Sequence, residues 1–203
     1  MQEYDLILVA DRPLLDAFNS LNAMGIEVET FEADLSNPAN IDRLVDVIGS
    51  RSVAALMANA GHGLGGCFLD QDFSDVHHAT DTNITRTLYL LQKVARSMLS
   101  HGHGRIWVTG SIVGFQPGPF HAVYNGSKAF INSFTAALRN ELKNTSVTVT
   151  CLMPGATDTD ALARPGLLKS ITGSAQQFQM DAVKVATIGF KAMQEGQADV
   201  VAG

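Results

Sequence analysis

The chain has 203 residues, 46% of them hydrophobic and 17% charged, which suits a single globular domain spanning 1–203 with a full core and excludes disorder as the default. Its 14 basic and 20 acidic residues leave a formal charge of −6, which argues against broad attraction to nucleic-acid phosphates or anionic lipid. Cys67 and Cys151 lie far apart and Met1 to Ala10 lacks the basic start of a secretion signal. No apolar run approaches the ~20 residues of a membrane span, so the expectation is a cytoplasmic protein with reduced thiols.

Short β-branched runs alternate with longer stretches of helical period, the pattern of an α/β protein on a parallel sheet. In chain order the strands are expected at Asp5 to Ala10, Ile26 to Ala33, Val53 to Ala58, Arg105 to Thr109, Val147 to Met153 and Asp199 to Ala202. Between them, Pro38 to Ser50 reads as a helix capped by Ser36 or Asn37, with Ile41, Leu44, Val45 and Ile48 on one apolar face. Longer helices are expected over Asp75 to Ser100, His121 to Lys143 and Asp181 to Gln194. The weakly periodic stretch from Asp158 to Met180 reads as a loop. Its apolar residues Leu162, Leu167, Leu168, Ile171, Phe178 and Met180 form either a lid over a substrate or a small satellite core.

In an open parallel sheet the segments after each strand gather along one edge, where such folds bind ligands. Asp11, Asp34, Asn59-Ala60-Gly61, Ser111 and Pro154-Gly155 follow successive strand runs. Tyr124 and Lys128 form Y-x-x-x-K near the start of a predicted helix, so their side chains share a face. A free phenol, with a pKa of about 10, transfers protons poorly at neutral pH, and a fixed cation beside it favours the phenolate. Ser111 stands thirteen residues upstream, able to bond the same substrate oxygen.

With these residues in place the sequence resembles the short-chain dehydrogenase/reductase family. The resemblance rests on Asp34-Leu35, Asn59-Ala60-Gly61, Asn83, Ser111, Tyr124 with Lys128, and Pro154-Gly155 followed by Thr159, and runs from about Tyr4 onward. It implies a Rossmann-like, doubly wound parallel sheet in three α/β/α layers and NAD or NADP as cofactor. A small alcohol or carbonyl would be the substrate, in a homodimer or homotetramer paired through the two long helices. Tyr124 would be the general acid/base, Ser111 would hold the substrate oxygen, and Lys128 would lower the Tyr124 pKa and bind the nicotinamide ribose. Asn83 would bend its helix to keep a water in the proton relay. On the cofactor, Asp34 beside Leu35 would meet the adenine and Asn59, Ala60 and Gly61 would wall the adenosine ribose. Pro154, Gly155 and Thr159 would border the nicotinamide and pyrophosphate. Asp11 favours NAD by accepting a ribose hydroxyl while Arg12 beside it works the other way, and the balance leans to NAD.

The sequence departs from the family pattern at its start. The first strand and its glycine-rich turn are missing, a whole βα unit at the centre of the sheet. Gly61-His62-Gly63-Leu64-Gly65-Gly66 fits G-x-G-x-x-G, but no apolar helix opens at Gly66, so it is not taken as the phosphate cradle. The alternative reading is therefore a non-catalytic or truncated binding or oligomerising module. His101 and His103 read as a surface turn rather than a metal site, His77 and His78 as helix surface, and His121 as either a border of the substrate pocket or loop packing.

Overall fold

The computed structural model describes residues 4–159 and 179–202, so the proposed lid, apart from Met180, lies outside the described residues. The chain divides into two compact units, Met1–Gly49 and Ser50–Gly203.

In the first unit β1 (Leu6–Ala10) and β2 (Val28–Glu32) pair in parallel, Leu6 opposite Val28 through Ala10 opposite Glu32. The crossover helix α1 (Leu15–Asn22) buries no residue, while α2 (Pro38–Ile48) buries Ile41 and Leu44. Asn37 caps α2 by accepting the Ala39 N–H at 3.0 Å, and Pro38 sits where no helical donor is needed.

The second unit is built on a parallel sheet of β3 (Ala55–Ala58), β4 (Gly104–Thr109), β5 (Val147–Pro154) and, beyond the two-stranded β6 (Thr157–Asp158) with β7 (Met180–Asp181), β8 (Asp199–Ala202). The order is β3-β4-β5-β8. Strand alternation sends side chains to two faces. On one face Gly104 lies against Met98 of α4 (Thr87–His101) and Cys151 of β5 against Asn132 of α5 (Ala122–Leu142). On the other, Trp107 and Leu152 pack on Gly189 of α6 (Ala182–Gln194), with Val185, Met193 and Ala202 completing that core. Helices on both faces make this unit three-layered, and β4 and β5 are buried on both sides, which explains their near-continuous apolar runs. β1 and β3 each have one strand partner among the described residues, β2 and β4 respectively.

The expected Asp75 to Ser100 helix is three pieces: α3 (Phe73–Thr80), a wider π turn (Asp81–Arg86) and α4. The π turn carries the buried Asn83. The other expected helices and strands stand within two residues of their predicted ends, and α4 ends where Gly102 takes a left-handed conformation (φ 75°).

Candidate active site

Four residues of the second unit converge beyond the C-terminal end of β4. Ser111 follows that strand in extended backbone, and its hydroxyl accepts the Val113 N–H at 3.3 Å to start a short 3-10 turn, Ile112–Phe115. The same hydroxyl donates to the Pro154 carbonyl at 3.3 Å and lies near enough to the Tyr124 phenol to pull its pKa down. A serine has one proton to donate, so Ser111 can pass it between a long bond to Pro154 and an oxygen at Tyr124. One turn along α5, the buried Lys128 sets its Nζ 5.9 Å from the Tyr124 ring centroid and donates to the Thr109 carbonyl at 2.8 Å.

Asn83 is 3% exposed and locks the loop after β3. Its Oδ1 accepts the His62 N–H at 2.6 Å, and its Nδ2 donates to the His62 carbonyl at 2.9 Å and the Ser127 hydroxyl at 3.0 Å. A Cβ on Gly61 would stand 3.3 Å from Asn83 Oδ1 and 3.7 Å from Lys128 Nζ, so the Asn59-Ala60-Gly61 turn passes directly against both. Asn59 itself is exposed and accepts the Thr109 hydroxyl at 2.8 Å, which in turn accepts Trp107 Nε1 at 2.9 Å. Across the opening, Gly66 donates to the carbonyl of Phe120, a bulky residue held in left-handed backbone (φ 64°) just before α5.

Burial sets the electrostatics. It pushes the Tyr124 phenol above its ordinary range, and only the Ser111 hydrogen bond pulls it back. It brings the Lys128 ammonium down to about 8, against a smaller opposing pull from Cys151. The expected lowering of Tyr124 by Lys128 is not seen: the ammonium stands over the Tyr124 ring at 5.9 Å from its centroid and is bonded to the Thr109 carbonyl, while burial raises the phenol. His121, at the start of α5, is lowered by partial burial.

The remaining expected residues are placed less tightly. Pro154 presents its carbonyl to Ser111, the Gly155 N–H is taken by the Ala202 carbonyl at 2.7 Å, and Thr159 is exposed. In the first unit Asp34 accepts both the N–H and hydroxyl of Ser36 at 2.8 Å, with half-buried Leu35 beside it, and Asp11 pairs with Arg12 at 3.6 Å. The two residues that pull cofactor choice in opposite directions therefore face each other. The Gly61–Gly66 segment leads into a 3-10 turn at Phe68–Asp70, with α3 starting only at Phe73, so no helix N-terminus opens onto it. His101 bonds the Ser97 carbonyl and His103 the Ser52 hydroxyl. Thr109, Ser127 and the His62 backbone hold the site together without being singled out by sequence, although Thr109 and Ser127 adjoin the motif residues closely.

The family model for short chain dehydrogenase matches residues 2–166. The chain belongs to that family. Among curated relatives, ketoacyl reductase HetN of Nostoc is 30% identical over 146 residues, 70% of this chain and 50% of the relative. Sulfoacetaldehyde reductase 2 of Chromohalobacter salexigens is 34% identical over 146 residues, 70% of this chain and 58% of its own length. The chain thus spans about half the length of the curated relatives it matches. A short-chain dehydrogenase from Sphingobium yanoikuyae in complex with NADPH has TM-score 0.87 at 26% identity, covering 98% of this chain and 77% of that one. A family member from Burkholderia phymatum in complex with NAD has TM-score 0.85 at 26% identity, with 97% and 79% covered. These likenesses establish the Rossmann-like α/β fold of the family. Among the described residues no helix is long and apolar enough to cross a membrane.

Proposed function

We propose that this short chain dehydrogenase interconverts an alcohol and a carbonyl with NAD or NADP, Tyr124 acting as general acid/base. The observation that carries the reading is the meeting of the Tyr124 phenol with the Ser111 hydroxyl and the buried Lys128 ammonium. Every group it uses lies in the Ser50–Gly203 unit.

The residues fit the nicotinamide-ribose end of the cofactor. The Lys128 ammonium has three donors and Thr109 takes one, leaving donors for ribose hydroxyls. Asn59-Ala60-Gly61 and Pro154-Gly155 flank it, with Thr159 further out. When bound, the nicotinamide supplies or accepts the hydride. Ser111 holds the substrate oxygen, and Tyr124 delivers a proton to it in reduction or removes one in oxidation. The Ser111 hydrogen bond favours the phenolate and so eases proton delivery from Tyr124 against the cost of its burial, and Lys128 and Asn83 fix the surrounding loops.

Among the described residues no helix N-terminus opens onto the Gly61–Gly66 segment, and a non-catalytic member with weak cofactor binding is the alternative reading. The proposed reading further carries a cytoplasmic homodimer or homotetramer, a small-molecule substrate and a small preference for NAD.

The test is nicotinamide absorbance with a panel of ketones and alcohols at millimolar cofactor. Tyr124→Phe is expected to lower the rate by ~10²–10⁴-fold; equal rates in the two proteins sink the assignment. Calorimetric titration showing no binding of either cofactor at millimolar concentration would favour the non-catalytic reading.

A further inference from the structure

Tyr124, Lys128 and Asn132 follow one another at four-residue steps along α5 and so lie on one face of it. The first two reach the candidate site, and the third reaches beneath it. The Asn132 Nδ2 donates to the Ser111 carbonyl at 2.9 Å, and its Oδ1 accepts the Ser111 N–H at 3.3 Å. One side chain thus takes both backbone groups of one residue. The Cys151 thiol adds a weak bond to the same Oδ1 at 3.9 Å.

The space around the carboxamide is matched to it. A Cβ on Gly110 would overlap Asn132 Oδ1, and one on Gly114 would stand 2.6 Å from Nδ2. The glycines before and after Ser111 therefore leave the room that Asn132 fills. The Ser111 hydroxyl is less firmly held through its own bonds, since its contacts to Pro154 and Val113 are both 3.3 Å, long for a hydroxyl. The 2.9 Å bond from Asn132 to the Ser111 carbonyl is the shortest of these and fixes the backbone from which the hydroxyl projects.

We propose that Asn132 is a positioning residue that clamps the Ser111 backbone so that the serine hydroxyl faces the Tyr124 phenol. The inference rests on the Ser111–Tyr124 pairing of the proposed function and adds the residue that enforces it. Its role runs through the Ser111 backbone. In Asn132→Asp the near-isosteric carboxylate would repel the Ser111 carbonyl instead of donating to it, and Asn132→Leu would release both bonds.

The experiment is the alkaline titration of the tyrosinate absorbance, with the Tyr124 transition taken from the difference between each protein and its Tyr124→Phe counterpart. Because the Ser111 hydrogen bond favours the phenolate, Ser111→Ala should move that transition upward. Asn132→Leu and Asn132→Asp should each move it upward by at least half as much. Unfolding would instead bring Tyr124 down to the range of an ordinary tyrosine, opposite in sign, so loss of structure cannot imitate the effect. If Ser111→Ala moves the transition and neither Asn132 variant does, or if both variants move it downward, the clamp is overturned. If Ser111→Ala itself leaves the transition in place, the Ser111–Tyr124 pairing fails, and the clamp with it.

Discussion

Lys128 is the residue whose burial costs the folded chain most visibly. The residue is 6% exposed, and burial brings its ammonium down to about 8, against 10.5 for an ordinary lysine. That difference corresponds to ~3 kcal/mol. The unfolded chain keeps this proton up to 10.5 while the folded chain releases it above about 8, so between those values the unfolded state binds more protons and stability rises with pH. Below about 8 the cost is fully present. Lys128→Met removes it at the expense of the Thr109 hydrogen bond, worth ~1 kcal/mol. The expected result at pH 7 is a variant more stable by about 1–2 kcal/mol yet without turnover, its advantage shrinking as pH rises from 8 towards 10.5. Both proteins retain Tyr124 and Cys151, whose raised pKa values remove stability at alkaline pH, so the difference between them isolates Lys128. Urea unfolding at pH 7 and near pH 10 checks this, and a less stable Lys128→Met at pH 7 would contradict it. Asn83 predicts the reverse balance. Asn83→Ala loses three hydrogen bonds in a buried place, at about 1 kcal/mol or more each, and thermal unfolding should show a destabilisation on the order of 3 kcal/mol.

At the level of elements, close approach of helix and sheet is set by small residues. A Cβ on Gly189 of α6 would lie 2.8 Å from Trp107 and 2.9 Å from Leu152, both buried in the β4 and β5 core. Gly189→Ala should therefore destabilise by ~1–3 kcal/mol through overpacking, although alanine is the better helix former. A midpoint of thermal unfolding at or above the parent value would show that α6 can shift away. Most elements were legible because β4 and β5 are buried on both faces and read as near-continuous apolar runs. α2 was legible through its cap and its Ile41–Leu44 stripe. α1 buries nothing, so no stripe announces it. The π turn at Asp81–Arg86 was announced only by the resemblance, through Asn83 bending its helix, because an inserted residue changes backbone bonding without changing composition. Of the site, Ser111, Tyr124 and Lys128 were legible as spacing. The clamp by Asn132 was written in the same four-residue rhythm, but an asparagine in a helix carries no signal until its partner backbone is placed. The sign of the Tyr124 shift was not legible, because spacing reports a nearby cation and says nothing about how much water both groups lose.

Over the whole molecule the two units differ in what they bury. Among the described residues the Met1–Gly49 unit buries the apolar Ala33, Ile41 and Leu44, whereas the Ser50–Gly203 unit holds the rest of the core, including Ile106, Val108, Ile131 and Leu152. Local opening follows buried apolar contact, so amides of β1 and β2 are expected to exchange with solvent faster than those of β4 and β5; equal protection would contradict the division. The groups of the proposed relay all belong to the better-packed unit, where a half-buried phenol and a buried hydroxyl and ammonium can be held against their desolvation. The most direct test of that chemistry is the mass of the alcohol formed when a ketone substrate is supplied with reduced nicotinamide carrying deuterium at the transferable position. The account predicts one deuterium in the alcohol from the parent chain and a rate lower by ~10²–10⁴-fold from Tyr124→Phe. An alcohol without the label, or labelled equally fast by the phenylalanine variant, would contradict it.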